Sequence, residues 1–156
     1  MVRKNIIGLL AILLVCAVFI RMDDKLYPYF YGRLYVSDVG IDVALYYDAS
    51  QTVVDRLDSA TIFKLAPNDG LNIGDHNGQE FRKLFRVKVG MDGYIRLESG
   101  DVVNIRCTDV FNGHNIRSAI TDENGIIVSG RSDILMYTCR DSSENVLICL
   151  WEIIEN

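Results

Sequence analysis

The chain opens with one long apolar run between two charged segments. Residues 6–20, IIGLLAILLVCAVFI, carry no charge, and they lie between MVRKN and RMDDK. As a helix this run rises roughly 22 Å, and the snorkelling side chains of Lys4 and Arg21 can extend it toward the ~30 Å of a hydrocarbon core. No small-residue cleavage site follows the run, so the pattern predicts a retained anchor rather than a removed signal peptide.

The positive charge of Arg3 and Lys4 orients this anchor with its N-terminus in the cytoplasm. A buried helix of a soluble protein is disfavoured because the run has no polar helical face. The sequence therefore predicts a single-pass protein of the cell membrane with an extracytoplasmic domain. Its predicted parts are a cytoplasmic stub (1–5), a transmembrane signal anchor (6–21), a juxtamembrane segment (22–35) and a C-terminal domain (36–156).

The C-terminal domain shows mainly the short apolar segments and turn signals of β-structure. The predicted strands include VALYY, TIFKLA, LNIGD, IIVS, ILMYTC, NVLICLWEII and a pair around Ser99 and Gly100. Helical spacing appears in QTVVDRLDSA and at Phe81, Leu84 and Phe85. Seven or eight strands with one or two short helices predict a small β-barrel or sandwich.

Net charge and cysteine content limit the kinds of ligand and reaction that the chain can support. A net charge of −5 disfavours binding to nucleic acid, because an acidic chain gains nothing from counterion release. Cys16 lies in the apolar run, and the three remaining cysteines are an odd number, so an extracytoplasmic domain keeps at least one free thiol unless chains cross-link. The histidines and cysteines lack the close spacing of a zinc site, and the acidic residues are scattered, so we expect neither metal nor cofactor.

Two short motifs can carry chemistry. ILMYTC ends a predicted strand at Cys139, and NIGDHNGQEF places His76 in a loop just past another strand. A thiol acts as a nucleophile in its thiolate form, which needs a nearby base or cation, and a histidine held beside it can serve. The alternative interpretations are a small buried residue for Cys139 and a turn residue for His76.

The remaining histidine and cysteines are expected to have structural roles. His114, in FNGHN, fits a solvent-exposed turn better than a catalytic position. Cys107 and Cys149 are expected to pack inside the domain, and a disulfide between them stays open as an alternative.

The order of these motifs resembles that of the sortases, the membrane-anchored cysteine transpeptidases of Gram-positive bacteria. SDVGIDVALYY resembles the first strand pair of a sortase barrel, and LNIGDHNGQEFRKL resembles the segment that carries the catalytic histidine. ESGDVVNI resembles the Gly-Asp that opens the next strand. DILMYTC resembles the strand that ends in Thr-Cys, and NVLICLWEI resembles the closing strand. The resemblance covers roughly residues 36–154. It implies a closed, sortase-like β-barrel.

The resemblance also implies roles and partners. Cys139 would be the nucleophile, His76 the acid/base partner, and Thr138 would shape the substrate site. The substrate would be a secreted protein with a Leu-Pro-x-Thr-Gly-like sorting signal. Its acyl group would pass through a thioacyl intermediate to an amine acceptor, such as a wall precursor or a pilin.

The sequence departs from the sortase pattern near the expected site. The closing strand has no arginine facing the cysteine, so Arg140 and Asn145 are the candidates to replace it. Asp75 separates glycine from histidine, and the segment between Cys139 and the last strand is short. The alternative function is therefore a catalytically weak or inactive sortase-like barrel that acts as a membrane-anchored binding or assembly module.

Overall fold

The computed structural model describes residues 29–47, 59–63, 70–116, 119–141 and 144–155. The strands are β1 (Tyr29–Val36), β2 (Ile41–Tyr47), β3 (Ser59–Phe63), β4 (Leu71–Asp75), β5 (Asp92–Leu97), β6 (Val102–Ile116), β7 (Ala119–Asp122), β8 (Ile134–Cys139) and β9 (Asn145–Ile153). Two 3₁₀ helices span Ser37–Val39 and Glu80–Arg86. The prediction of a mainly β domain with few helices is confirmed.

Eight of the nine strands close into a barrel. The hydrogen-bonded order is β5-β1-β2-β3-β4-β8-β9-β6, and a pairing between β5 and β6 closes the ring. Most neighbours are antiparallel, but β2 runs parallel to β3 and β4 runs parallel to β8. The ninth strand, β7, pairs with the C-terminal part of β6.

Successive side chains of a strand point to opposite sides of the barrel wall, and the apolar ones form one cluster on each side. Every barrel strand contributes to the first, interior cluster, which includes the fully buried Trp151. The 80–86 helix adds Phe81 and Leu84 to it. The second, outer cluster covers β8 and β9 and contains Tyr137, Ile148 and Ile120 of β7. The closing strand β9 is therefore buried on both faces, as its sequence predicts.

Several elements differ from the sequence expectations. The barrel begins at Tyr29, so residues 29–35 form β1 instead of a juxtamembrane segment, because they pair with both β2 and β5. The IIVS segment, residues 126–129, makes one isolated bridge, Ile127 to Thr121, in place of the expected strand, and Ile126 and Ile127 are exposed. The strand next to this segment is β7, which was not predicted from the sequence.

Two expected helices lie outside the described residues. These are the transmembrane anchor at 6–21 and most of the helical turn in QTVVDRLDSA. Among the described residues, no helix has the length and apolar character needed to cross a bilayer.

Candidate active site

Cys139 and His76 lie at the ends of two paired strands. The parallel pairing of β4 with β8 ends with Asp75 opposite Thr138. Cys139 is the last residue of β8, and His76 is the first residue after β4. The parallel register thus brings together two strand ends that are more than sixty positions apart in sequence.

Side-chain alternation places Cys139 on the outer face of the wall. Leu135 and Tyr137 belong to the outer cluster, and Cys139 follows them with the same parity, half-buried. On β4, position 74 faces the same outer side, because a Cβ on Gly74 would lie 2.6 Å from Cζ of Tyr137 and 2.9 Å from a ring atom of Phe63. His76 follows the last residue of β4 and is exposed. Cys139 therefore shares the outer face of the wall with Gly74 and with the rings of Tyr137 and Phe63.

Thr138 fixes the two strand ends from beneath. It is fully buried, and its Oγ1 donates a hydrogen bond of 2.8 Å to the main-chain oxygen of Asp75. The carboxylate Oδ1 of Asp75 in turn accepts a 2.7 Å hydrogen bond from the main-chain N–H of His76. Thr138 therefore joins the two strand ends below Cys139, and its expected role in shaping the substrate site stays a prediction.

Burial and a nearby carboxylate disfavour the thiolate form of Cys139. Burial raises the pKa of this thiol above 9.0, and the negative charge of Asp75 raises it further, whereas a main-chain hydrogen bond at Cys139 itself lowers it. Asp75, the residue that the sequence adds between glycine and histidine, therefore opposes the thiolate. A cation or proton acceptor must come close before this sulfur reacts at neutral pH.

Arg140 directly follows Cys139 in the chain. Its main-chain N–H donates to the oxygen of Asn145 at 2.8 Å, and its main-chain oxygen accepts a 3.1 Å hydrogen bond from Nδ2 of Asn77. These two bonds fix the backbone between the ends of β4, β8 and β9. The guanidinium is exposed, and within the described part of the chain it has no ion-pair partner.

No arginine stands opposite Cys139 on the closing strand. The residue paired with Cys139 is Val146, which is fully buried. Asn145 lies next to it, but Nδ2 of its amide donates to Asp141 at 2.8 Å. Of the two candidates to replace the missing arginine, only Arg140 has an exposed charged group.

His114 has a defined position that the sequence did not indicate. It is half-buried on β6, directly opposite Asn145, and its Nδ1 lies 3.2 Å from Oδ1 of Asn145. Because that oxygen can only accept, Nδ1 of His114 carries the proton in this contact. The expected exposed turn is therefore a strand pair, which only the long-range pairing of β6 with β9 reveals.

Two open grooves flank Arg140. One, of about 790 Å³, is lined by Arg140 and by residues of the 80–86 helix, including Arg82 and Phe85. The other, of about 380 Å³, lies on the side of His114, Asp141 and Asn145. A bound chain has space on both sides of the arginine.

The other two thiols in the described part of the chain lie inside the barrel. Cys107 and Cys149 belong to the interior cluster, both are buried, and both are reduced, so the alternative of a disulfide between them is not realised. Burial raises the pKa of Cys107 to about 11. Among the described residues, no group of three histidine, cysteine or acidic side chains is placed to hold a metal ion.

Comparisons with known proteins find similarity in structure but not in sequence. No protein-family profile matches the chain, and no curated protein matches it significantly. Among solved structures, sortase C of Clostridium perfringens with the C-terminal cell wall sorting motif has a TM-score of 0.62 at 12% identity, covering 85% of this chain and 75% of that one. Sortase C1 of Streptococcus suis has a TM-score of 0.62 at 16% identity, covering 82% and 74%.

A further similar structure is sortase C of Streptococcus pneumoniae, with a TM-score of 0.61 at 16% identity, covering 85% of this chain and 72% of that one. Identities this low establish similarity of fold alone. The chain has a sortase-like fold.

Proposed function

We propose that the protein is a sortase-like cysteine transpeptidase. The observation that supports this proposal is the parallel register of β4 and β8, which ends with Asp75 opposite Thr138, one residue before His76 and Cys139. We propose that the half-buried thiol and the exposed imidazole meet there, since they are the two groups that acyl transfer through sulfur needs.

The proposed reaction has two halves. In the first, His76 takes the thiol proton, the sulfur of Cys139 attacks the carbonyl carbon of the scissile peptide, and the C–N bond breaks while His76 returns the proton to the leaving amine. A thioester then joins the substrate to Cys139. In the second half, an acceptor amine attacks that thioester, the C–S bond breaks, and the proton released by the amine restores the thiol.

Arg140 is the proposed electrophilic group. Negative charge develops on the carbonyl oxygen during both halves, and a cation directed at that oxygen stabilises it. Val146 cannot donate a hydrogen bond from its side chain, and the amide nitrogen of Asn145 is directed at Asp141. Arg140 follows Cys139 directly and carries an exposed guanidinium.

The proposed partners follow from the same reaction. The acyl donor is a secreted protein with a C-terminal sorting signal, and the acceptor is an amine on a wall precursor or on a pilin. We propose that residues 6–21 anchor the chain in the cell membrane and that the barrel lies outside the cell. The solved relative with a cell wall sorting motif is consistent with such a donor.

A second function, a binding or assembly module with little catalysis, is favoured by two observations. The position opposite Cys139 on β9 is apolar, and the pKa of the thiol is raised. Under this alternative, the grooves hold a sorting signal without cleaving it.

Peptide cleavage and trapping separate the two functions. Full-length protein is incubated with a fluorogenic library of sorting-type peptides, and intact-mass measurement follows acyl transfer to Cys139. We expect a thioacyl adduct with the unchanged chain and none with Cys139→Ala. His76→Ala should lower the rate about 100-fold or more. His114→Ala is the matched control, because the chain has two histidines, and it should keep most of the activity.

The result decides between the proposals. Peptides that bind but give neither cleavage nor adduct with the unchanged chain would establish the binding module. A loss of rate in His114→Ala as large as that in His76→Ala would remove His76 from its proposed role.

A further inference from the structure

The groove on the side of the 80–86 helix is strongly basic, although the chain as a whole is acidic. Its lining includes Arg82, Lys83, Arg86 and Arg140, and no carboxylate lines it within the described part of the chain. The net charge of the chain is −5. Clustering of cations in one groove of an acidic protein produces a local positive potential that attracts anionic ligands.

The geometry of the 3₁₀ helix places its cations on two faces, one held by the barrel and one exposed. Side chains three residues apart lie above one another in such a helix. Phe81 and Leu84 form the buried face, whereas Lys83 and Arg86 form a face held by the barrel. Nζ of Lys83 contacts both Glu80 and the main-chain oxygen of Gly40, and Arg86 donates to the main-chain oxygen of Val39.

The third face of this helix is available to a ligand. It carries Arg82 and Phe85, which are both exposed, and the phenylalanine side chain keeps 46% of its accessible surface. Neither the guanidinium of Arg82 nor that of Arg140 has an ion-pair partner among the described residues. Asn77 links this groove to the proposed active site, because its amide holds the backbone of Arg140.

We propose that this groove binds an acidic peptide segment adjoining the scissile bond of the acyl donor, an assignment of substrate class that rests on the proposed function. Arginine pairs with carboxylates through two parallel hydrogen bonds. The exposed Phe85 ring offers apolar contact to the neighbouring residues of the same peptide. Arg82 and Arg140 are exposed and lie on different elements along an open groove, which suits separated carboxylates on an extended chain better than one compact phosphate.

Equilibrium binding tests the groove without relying on catalysis. Full-length protein carrying Cys139→Ala is titrated with two fluorescent sorting-type peptides that differ only in carrying glutamates or glutamines beside the motif. We expect the glutamate peptide to bind about threefold more tightly for each carboxylate engaged, as exposed ion pairs do. Raising the salt from about 0.05 M to about 0.5 M should remove most of this difference.

Arg82→Gln should weaken binding of the glutamate peptide about threefold and leave the glutamine peptide unchanged. The matched control is Arg96→Gln on β5, a strand that pairs with neither β4 nor β8 and lies outside the groove. It removes the same charge and should change neither affinity. Equal affinities for the two peptides, or equal effects of Arg82→Gln and Arg96→Gln, would overturn the proposal.

Competition distinguishes peptide carboxylates from phosphate. At matched ionic strength, inorganic pyrophosphate should displace the glutamate peptide less well than unlabelled glutamate peptide does. Stronger displacement by pyrophosphate would overturn the proposal in favour of a phosphate-bearing ligand. If the glutamate peptide binds selectively but the unchanged chain cleaves no peptide, the proposed transpeptidase is wrong and the acidic-peptide groove stands. If the unchanged chain cleaves the peptides but shows no preference for glutamate, the groove proposal is wrong and the transpeptidase stands.

Discussion

At the residue scale, the three described thiols differ in exposure and in proton affinity. Cys139 is half-buried at the barrel edge, whereas Cys107 and Cys149 are closed inside the interior cluster. Burial raises the pKa of all three thiols. Exposure, rather than intrinsic acidity, therefore distinguishes the proposed nucleophile from the structural thiols.

This difference predicts the order of alkylation. In the folded protein, iodoacetamide should modify Cys139 well before Cys107 or Cys149, and the rate at Cys139 should rise with pH beyond 9.0 because the thiolate is the reacting form. Asp75→Asn should raise the rate at neutral pH, since removing the negative charge lowers the thiol pKa. Peptide mapping by mass spectrometry gives the rates. Modification of all three thiols at one rate would contradict the account.

Two buried threonines provide a matched test of the hydrogen bond beneath the site. Thr138 donates to the main chain of Asp75, whereas Oγ1 of Thr121 is buried without a hydrogen-bond partner among the described residues. Thr138→Val should lower the free energy of unfolding by about 1–3 kcal/mol, because it leaves a buried carbonyl unsatisfied.

Thr121→Val replaces a hydroxyl that makes no hydrogen bond to the described residues, so it should be neutral or slightly stabilising. Urea unfolding can follow both variants through Trp151, since it is the single tryptophan and is fully buried. Equal destabilisation by the two substitutions would remove Thr138 from its role in joining β4 to β8.

At the element scale, the contact between β4 and β8 depends on a glycine. The ring of Tyr137 occupies the space that a side chain at position 74 would fill, with its Cζ 2.6 Å from the site of a Cβ. The same ring packs against Phe63 at 5.9 Å between centroids. The absence of a side chain on β4 thus allows the aromatic floor to extend beneath Cys139.

Gly74→Ala should therefore displace the Tyr137 ring, lower the free energy of unfolding by about 1–3 kcal/mol and change the alkylation rate of Cys139. Gly78→Ala is the control, because a Cβ there meets no atom within 4 Å, and it should change stability by less than about 0.5 kcal/mol. A neutral Gly74→Ala would show that the ring does not need this space.

Elements with strong local patterns could be predicted from the sequence, and those that depend on distant pairing could not. The hairpin of β5 and β6 turns at Gly100, whose φ of 95° suits glycine, and it was predicted from the local sequence. By contrast, β7 is a strand of four residues whose pairing along the long β6 defines it. The apolar residues Ile126 and Ile127 likewise did not make a strand, because only Ile127 forms a bridge.

The candidate site divides in the same way. Cys139 and His76 could be singled out because one ends a recognisable strand and the other follows one. The proximity proposed for them depends on the parallel register of β4 with β8, which a single sequence does not encode locally. The contact of His114 with Asn145 depends on the pairing of β6 with β9 and was missed for the same reason. Thr138 is buried because its side chain points to the inner side of the barrel wall, and which side is the inner one is known only from the closed barrel.

At the scale of the whole molecule, the closed ring of strands holds ionisable groups in their neutral forms. Burial raises the pKa of Cys107 to about 11 and raises that of Cys149 and Tyr137 as well. In the unfolded chain these groups lose their protons at lower pH. Their contribution to stability is thus complete below pH 9 and declines as the pH rises from 9 toward 11.

The free energy of unfolding should accordingly fall across this alkaline range, and urea titrations followed by Trp151 fluorescence measure it. Cys107→Val should make the decline shallower, because it removes one of the groups responsible. A slope that is unchanged in Cys107→Val would mean that this thiol does not contribute.

Cross-linking tests the proposal that the residues at positions 76 and 139 meet at one edge of the barrel. In His76→Cys, mild oxidation should form an intrachain disulfide with Cys139, because residues at neighbouring register positions have Cα atoms within the roughly 4.4–6.8 Å that a disulfide spans. His114→Cys, two strands away on β6, is the matched control and should form none with Cys139. Peptide mapping that finds Cys139 unlinked in His76→Cys, or linked equally in both variants, would contradict the claim.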